Sequence, residues 1–339
     1  NRTPKDIDYV VIGSTPQEML DKGFEPVGKD FPVFLHPITH DEYALARTER
    51  KVGKGYHGFE TDFSTEVTLE DDLIRRDLTI NAMAMDTEGN IIDPLNGQKD
   101  LKDGILRHAS IAFKEDPVRA LRISRFAARY DFKIALETDQ LIQDMKENGE
   151  FDYLQPDRVI EEIIKGMNED NASTMLRLIR NYGVCDWIRY GFSDDLFSKV
   201  MENLDNAKNL SPLNKMVVAF YYSYLSVDDM RNLKFPKIVF KTIGNLRTLN
   251  KYIDDDLEEV YHNFKASGIL NLAKKYSGVF TMLLIITQDH DFVLKLMKMI
   301  NAVNFIDFKE TKSQFNGLSG DEINKIVTDT CVAEMKKVM

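Results

Sequence analysis

The chain contains few cysteines and no long apolar run, and each absence excludes a class of protein. Only two of its 339 residues are cysteine, Cys185 and Cys331, which is too few for a disulfide framework. This scarcity is typical of a reducing compartment and no secretory signal is visible, so we expect a cytoplasmic protein. The longest apolar candidate, residues 279–286, is far shorter than the roughly 20 residues that a membrane helix needs. The sequence therefore predicts no membrane partner.

The chain also lacks an excess of basic residues, since its formal net charge is -11 at pH 7. A general nucleic-acid binder usually has a basic balance, and this composition argues against that class. RNA binding stays open, because phosphate is attracted by a local basic surface and acidic patches elsewhere can outweigh it in the sum. The sequence has no low-complexity tract and no fixed-period repeat. Its length predicts two or more domains.

The first 105 or so residues carry mixed strand and turn signals. Residues 8–12 predict a strand that ends at Gly13. Thr15, Pro16 and Glu18 then form the pattern of a capped helix start, and Gly23 predicts its end. Further strands are predicted at residues 31–35, 42–47 and 91–92. Three glycines within residues 51–58 predict a mobile loop.

From about residue 115 onward the pattern becomes helical. Apolar residues recur at spacings of three and four through residues 118–129, 138–145 and 158–167. The rest of the chain, residues 170–339, is also helical in pattern and shows no clean strand alternation. We therefore predict an α+β protein, with a small α/β head followed by a long helical part.

Asp6 and Asp8 are the first candidates for chemistry. They stand two residues apart at the start of a strand, so both carboxylates lie on one face. Such a pair can hold Mg²⁺, which prefers oxygen ligands, and two-metal sites catalyse phosphoryl displacement. A lone Asp-x-Asp is more often a solvated turn, so its significance depends on the other segments.

The second candidate segment is residues 70–82, in which Asp71 and Asp72 favour a helix start and Arg75 and Arg76 follow in the next turn. An arginine pair beside amides and carboxylates suits the recognition of triphosphate and ribose. Composition alone is equally compatible with a salt-bridged surface helix.

The third candidate segment is residues 115–129. Pro117 suits the first position of a helix, which makes Asp116 its natural N-cap. Four arginines then fall within an arc of about 120° on one helix face. They are Arg119, Arg122, Arg125 and Arg129. Such a stripe expects anions, which are either the carboxylates of a neighbouring element or the phosphates of a ligand.

Taken together, these segments resemble the class II tRNA nucleotidyltransferases, the bacterial-type CCA-adding enzymes. The likeness is close over about residues 1–165 in both order and spacing, and it is weak beyond them. The segments that carry it are Pro4-Lys5-Asp6-Ile7-Asp8, Arg75-Arg76-Asp77-Leu78-Thr79-Ile80-Asn81-Ala82, Asp93-Pro94 with Gly97 and Asp100, and Glu115-Asp116-Pro117-Val118-Arg119.

The resemblance implies a role for each matching residue. Asp6 and Asp8 would hold the catalytic Mg²⁺, with Glu42 or Glu49 as a possible third carboxylate. Asp116 and Arg119 would read the incoming base by hydrogen bonds of Watson–Crick type, in competition with the N-cap role of Asp116. The full set implied to bind the nucleotide is Arg76, Asp77, Asn81, Asp116, Arg119, Arg122 and Arg125. Asp93 and Asp100 would order the segment that leaves the head.

The resemblance also implies the reaction and the domain order. The chain would add CMP, CMP and AMP to the 3′ end of tRNA from CTP and ATP, releasing pyrophosphate by two-metal catalysis. Residues 1–105 would form the nucleotidyltransferase head with a small mixed sheet. All-helical neck, body and tail domains would follow at residues 106–168, 169–260 and 261–339, with the tail binding tRNA. Lys234, Lys237 and Lys241 lie in a basic stretch and are candidate RNA contacts, although ordinary solvated helix faces explain each equally well.

Three alternatives stay open. A bacterial poly(A) polymerase shares the head but carries a basic Gly-Arg/Lys-Arg/Lys-Phe-Arg segment that this sequence lacks. A partial CC- or A-adding enzyme is disfavoured if the glycine-rich residues 51–58 and their extension to Glu66 form the flexible loop of the family rather than a plain surface hairpin. A non-enzymatic RNA-binding module would keep the head for shape alone.

Two further features of the family bear on activity. Its Gly-Gly-x-Val-Arg-Asp element, which grips the triphosphate, would lie immediately before the first printed residue. Many bacterial relatives also end in a phosphohydrolase domain rich in His and Asp. After His108 this sequence has only His262 and His290, so we predict no phosphohydrolase activity.

Overall fold

The computed structural model describes two compact units within the chain. One comprises residues 1–155 and 182–184, and the other comprises residues 156–181 and 185–339. The residues described are 7–27, 32–51, 59–252, 258, 260–262, 265, 279–304, 306 and 318–338. The division into head, neck, body and tail stays a prediction.

The first unit begins with a four-stranded mixed sheet. Its strands are β1 (Asp8–Val11), β2 (Glu25–Val27), β3 (Val33–Leu35) and β4 (Glu42–Leu45). Their order is β1-β4-β3-β2, and β1 runs parallel to β4 while the other pairs are antiparallel. The predicted strand at residues 42–47 ends at Leu45, and a new strand, β5 (Thr48–Lys51), begins three residues later.

One helix packs on this sheet, and its ends are where the sequence predicts them. Helix α1 (Pro16–Asp21) begins at a complete capping box, in which the side chain of Thr15 accepts from the Glu18 amide and Glu18 reaches back to Thr15. Gly23 follows at a φ of +84°, a conformation that glycine adopts without steric cost. Met19 of α1 is buried with Phe34 and Leu45, which forms the core beneath the sheet.

The remainder of the first unit consists of short hairpins and helices. The strands are β6 (Phe59–Asp62), β7 (Ala84–Met85), β8 (Ile91–Ile92), β9 (Ile105–Leu106) and β10 (Lys133–Ile134). β5 pairs with β6 and β7 with β8 in antiparallel fashion, whereas β9 and β10 are parallel. The helices are α2 (Leu69–Ile74), α3 (Gly97–Asp103), α4 (Val118–Tyr130) and α5 (Leu136–Glu147). The glycine-rich residues 52–58, between β5 and β6, lie outside the described residues.

Asp93 and Asp100 order the segment around α3. Asp93 accepts hydrogen bonds from the amides of Gly97 and Gln98 at 2.6 and 2.9 Å, at the start of that helix. Asp100 is buried, and its carboxylate accepts from the Thr79 hydroxyl and from Arg107. At Gly97 a Cβ atom would lie 2.2 Å from the carbonyl oxygen of Thr79, so this close approach requires glycine. α3 is thereby fixed against the segment that carries Thr79.

The second unit is helical throughout its described residues. In chain order its helices are α6 (Pro156–Met167), α7 (Ala172–Tyr182), α8 (Asp186–Arg189), α9 (Asp194–Asn206), α10 (Pro212–Phe220), α11 (Val227–Asn232), α12 (Lys237–Tyr252), α13 (Val279–Thr287), α14 (His290–Asn304) and α15 (Gly320–Val338). Residues 215–220 of α10 are all buried, and α10 packs against α6, α9 and α12. The predicted fold class, a mixed-sheet head followed by helices, is confirmed.

Candidate functional site

The strand β1 places Asp8 at its first position, where the side chain is exposed. In the parallel pairing of β1 with β4, the neighbour of Asp8 is Glu42, which is also exposed. Residues paired in this way present their side chains on the same face of the sheet. Asp6, the second predicted metal ligand, lies outside the described residues. Oxygen donors on one exposed face are the type of ligand that Mg²⁺ takes.

The two candidates for a third metal carboxylate differ in their surroundings. The Glu49 carboxylate is half-buried and accepts from Arg47 at 2.9 Å and from Arg75 at 3.2 Å. Glu42 instead lies beside Asp8 in the sheet register. Between these two, the geometry favours Glu42. Within the described ranges, no three His, Cys, Asp or Glu side chains gather closely enough to hold a metal ion.

Helix α2 presents the arginine pair at its C-terminal end. It begins with a second capping box, in which Thr68 and Asp71 exchange hydrogen bonds, and its next residue, Asp72, is buried. Arg75 and Arg76 both donate to Asp72, at 2.6 and 3.1 Å. The salt-bridged helix allowed by the sequence therefore exists, but its carboxylate lies inside the molecule and not on a solvated surface.

Asp77 is a buried carboxylate that joins this segment to helix α4. One of its oxygens accepts from the Nε of Arg122 at 2.7 Å, and the other accepts from Asn81 at 3.0 Å and from the Leu78 amide at 2.9 Å. Burial alone would raise the pKa of Asp77, but the Arg122 charge and the hydrogen bonds from Asn81 and Arg122 hold it below its usual value. Asp77 thus orients Arg122, and its role in nucleotide binding stays a prediction.

This depressed pKa gives the stability of the first unit a pH dependence. A carboxylate whose pKa is lower in the folded than in the unfolded state stabilises the fold above its unfolded pKa, and that stability is lost as the pH falls through the folded value. We expect the free energy of unfolding to fall below about pH 4, and the fall to be smaller in Asp77→Asn. Urea unfolding of both proteins between pH 6 and pH 3 measures this difference. Equal slopes for the two proteins would contradict the assignment.

Arg119 is anchored to the backbone of the arginine pair. Its guanidinium donates to the carbonyl oxygens of Arg75 at 2.7 Å, Ala112 at 3.2 Å and Arg76 at 3.4 Å. Burial lowers the pKa of Arg119, and the nearby charge of Asp116 acts in the opposite direction. Of the five N–H donors of a guanidinium these contacts use three, which leaves two for a ligand.

Asp116 precedes this arginine at the start of α4. Its side chain accepts from the Val118 amide at 3.2 Å, and its carbonyl accepts from the Arg119 amide. The helix itself begins at Val118, one residue later than predicted, but the capping function of Asp116 is present. Because each oxygen of a carboxylate can accept more than one hydrogen bond, the contact to the Val118 amide does not by itself exclude a contact to a ligand.

The remaining predicted site residues are brought together only in part. Arg125 is buried, with its guanidinium 4.5 Å from the centre of the Phe126 ring. Lys237 and Lys241 are exposed and one turn apart on α12, and Lys234 is exposed in a left-handed conformation just before that helix. The roles of Arg125 in nucleotide binding and of these lysines in RNA binding stay predictions.

No helix in the described part of the chain is long and apolar enough to cross a membrane.

From the sequence, Asp72 was assigned to a helix start and Arg75 to an arginine pair, but Asp72 was not identified as the shared partner of Arg75 and Arg76, although the signal was present. An acidic residue three and four positions before two arginines on a helix predicts ion pairs. The link to Arg119 depends on contacts between α4 and the backbone of Arg75 and Arg76, which spacing within one segment does not reveal.

Comparisons with known proteins agree with this geometry. Residues 1–107 match the family described as the poly(A) polymerase head domain. Over 179 residues the chain is 62% identical to the multifunctional CCA protein of Neisseria gonorrhoeae. The matched region covers 53% of this chain and 44% of that protein. It is 60% identical over 179 residues to the multifunctional CCA protein of Acinetobacter baumannii, covering 52% of this chain and 43% of that protein.

The resemblance to the class II tRNA nucleotidyltransferases is confirmed. The chain spans less than half the length of these curated relatives.

Solved structures share the fold of this chain over most of its length. The Bacillus stearothermophilus CCA-adding enzyme in complex with CTP matches with a TM-score of 0.68 at 19% identity, over 99% of this chain and 85% of that one. The Thermotoga maritima CCA-adding enzyme complexed with tRNA matches with a TM-score of 0.68 at 21% identity, over 99% of this chain and 83% of that one. At such identities the likeness establishes the fold alone.

Proposed function

We propose that the chain adds CMP, CMP and AMP to the 3′ end of tRNA, using CTP and ATP as substrates. The observation that carries this proposal is the contact network that joins Arg76, Arg119 and Arg122: Arg122 donates to the buried carboxylate of Asp77, and Arg119 donates to the backbone carbonyl oxygen of Arg76. We infer that these three guanidiniums, on two segments some 40 residues apart, would supply the positive charge that a nucleoside triphosphate requires. The relatives named as CCA proteins and CCA-adding enzymes support the choice of tRNA as the acceptor.

In the proposed reaction, the 3′-hydroxyl oxygen of the tRNA attacks the α-phosphorus of the nucleotide. A new P–O bond forms, the bond to the β-phosphate oxygen breaks, and pyrophosphate leaves while the hydroxyl proton passes to solvent. Arg76 and Arg122 would offset the charge of the phosphates. Asp6, Asp8 and Glu42 would hold Mg²⁺, which when bound supplies charge stabilisation for this displacement.

Base selection would fall to Asp116 and Arg119. Cytosine and adenine each carry an exocyclic amino group, which a carboxylate accepts from, and a ring nitrogen, which a guanidinium donates to. Uracil and guanine present a different pattern at these positions. The two donors of Arg119 that the backbone carbonyls leave available suit this role, because the same carbonyls fix the plane of the guanidinium.

The test is incorporation of labelled CTP and ATP into tRNA that ends before its CCA, in the presence of Mg²⁺. Ordered addition of two C and one A is the expected result. ATP-only tailing would indicate a poly(A) polymerase, and addition of C alone or of A alone would indicate a partial enzyme. Binding of tRNA with no pyrophosphate release would indicate an inactive RNA-binding module. The cytoplasm stays the predicted location.

A further inference from the structure

Asp72 is a buried carboxylate of helix α2, and its two oxygens have different partners. Oδ1 accepts from the Nε and Nη2 of Arg75 at 3.0 and 2.6 Å and from the Arg47 amide at 3.2 Å. Oδ2 accepts from the Nη2 and Nε of Arg76 at 3.1 and 3.4 Å. With a relative exposure of 1%, the residue is almost completely removed from water.

The two arginines depend on Asp72 to different degrees. Arg75 has a second carboxylate, since its Nη1 donates to Glu49 at 3.2 Å. In the contacts recorded for the described residues, Arg76 has no second carboxylate, and its other partner is the neutral carbonyl oxygen of Asn81 at 3.3 Å. Because Asp72 serves both guanidiniums, its charge offsets only part of theirs. The surplus positive charge falls on Arg76, whose side chain is 37% exposed.

We infer that Asp72 is a positioning residue for nucleotide binding, which fixes Arg76 so that its guanidinium meets the phosphates in one orientation. The inference rests on the proposed function in that Arg76 is taken to contact the nucleotide. Burial would raise the pKa of Asp72, but the charges of Arg75 and Arg76 hold it below its usual value, so the carboxylate is ionised at neutral pH. A guanidinium held on one side by a fixed buried anion loses less side-chain entropy when it binds a ligand.

Asp72→Asn separates the two arginines because the carboxylate oxygens are not equivalent. The amide oxygen of asparagine is expected to take the place of Oδ1, where three donors converge. The amide nitrogen then faces the donors of Arg76, which it cannot accept from. The substitution is nearly isosteric, and it releases Arg76 while it keeps the contacts to Arg75 and Arg47.

A double-mutant cycle with Arg76→Ala tests the inference. We expect Asp72→Asn and Arg76→Ala each to raise the dissociation constant for CTP about tenfold, since hydrogen bonds between charged groups contribute at this level. The double variant is expected to bind CTP no more weakly than Arg76→Ala alone, because Asp72 acts through Arg76. The KM for CTP should rise with the dissociation constant while kcat changes less. Effects that multiply in the double variant would overturn the inference.

Asp100→Asn is the matched control for the loss of a buried carboxylate. Asp100 is also in the first unit, 5% exposed, and paired with an arginine, Arg107, at 3.0 Å. We expect Asp100→Asn to lower the melting temperature as Asp72→Asn does, but to leave CTP binding unchanged. Equal loss of CTP affinity in both variants would assign the effect to general destabilisation and overturn the inference.

A spectroscopic readout separates this inference from the proposed function. With ¹⁵N-labelled arginine, the Nε–Hε signal of Arg76, assigned by its absence in Arg76→Ala, should shift in Asp72→Asn and stay in place in Asp100→Asn. If wild type binds no CTP but this shift is seen, the proposed function fails and the positioning geometry stands. If the Arg76 signal does not move in Asp72→Asn, the inference is overturned whatever the nucleotide data show.

Discussion

Replacing Asp8 with alanine is expected to lower the rate of CMP incorporation by about 10³-fold, because a group that stabilises developing charge on a transferred phosphate contributes at that level. The melting temperature should stay close to that of wild type, since the Asp8 side chain is exposed at the start of β1 and packs against no core residue. Single-turnover incorporation of labelled CTP into tRNA lacking its CCA end measures the rate, and a thermal melt measures the stability.

The sheet offers a matched control for this substitution. Glu25 is an exposed carboxylate at the first position of β2, which is the opposite edge strand of the same described sheet. Glu25→Ala should leave the rate of incorporation unchanged. Glu42→Ala should lower the rate if Glu42 shares the metal site with Asp8, as their register suggests. If Asp8→Ala incorporated CMP at the wild-type rate, Asp8 would have no part in the proposed reaction.

Arg119→Ala is expected to have two effects at once. The free energy of unfolding should fall by roughly 2 kcal/mol, because three partly buried carbonyl oxygens lose a charged donor. Discrimination against UTP and GTP should also weaken, since the proposed base-reading donors are removed. Urea unfolding at pH 7 measures the first effect, and the ratio of UTP to CTP incorporation measures the second.

Arg129→Ala is the control on the same helix. The contact recorded for Arg129 is with the Tyr130 ring, at 5.4 Å from its centre, and its Nε has no hydrogen-bond partner in the described structure. A cation–π contact at a partly exposed site contributes about 1 kcal/mol. We therefore expect a small loss of stability and unchanged base selection. If both variants lost the same stability, the carbonyl contacts of Arg119 would not be its source.

The sequence predicted the head fold well wherever local signals decide structure. The capping box at Thr15 and Glu18, the end of α1 at Gly23 and the start of α4 near Asp116 all depend on residues within one turn of each other. The strand pairing did not follow from such signals. The parallel contact of β1 with β4 joins residues far apart in sequence, and hydrophobic alternation does not specify which strands become neighbours.

The sequence predicted which residues belong to the candidate site, but it did not predict most of the contacts between them. The motif spacing and the family resemblance identified Arg76, Arg119 and Arg122, but not that Arg119 is held by backbone carbonyls from α2. The role of Asp77 in nucleotide binding stays a prediction, whereas the ion pair of its buried carboxylate with Arg122 was not predicted. These contacts depend on how two segments pack, which a motif does not encode. The sequence pattern alone also did not indicate that Asp72 is buried and pairs with both Arg75 and Arg76.

The mixed sheet has a consequence for how this head forms during synthesis. β2, β3 and β4 pair with near neighbours in sequence, whereas β1 must wait for Glu42 and the residues after it before its own partner strand exists. At the usual speed of translation, this delay lasts on the order of seconds. During that time the apolar residues of β1, Val10 and Val11, have no pairing strand within the described sheet. The strand that carries Asp8 is thus synthesised before its partner β4 and pairs with it only later. The proposed metal site is therefore assembled after the other strands of the sheet.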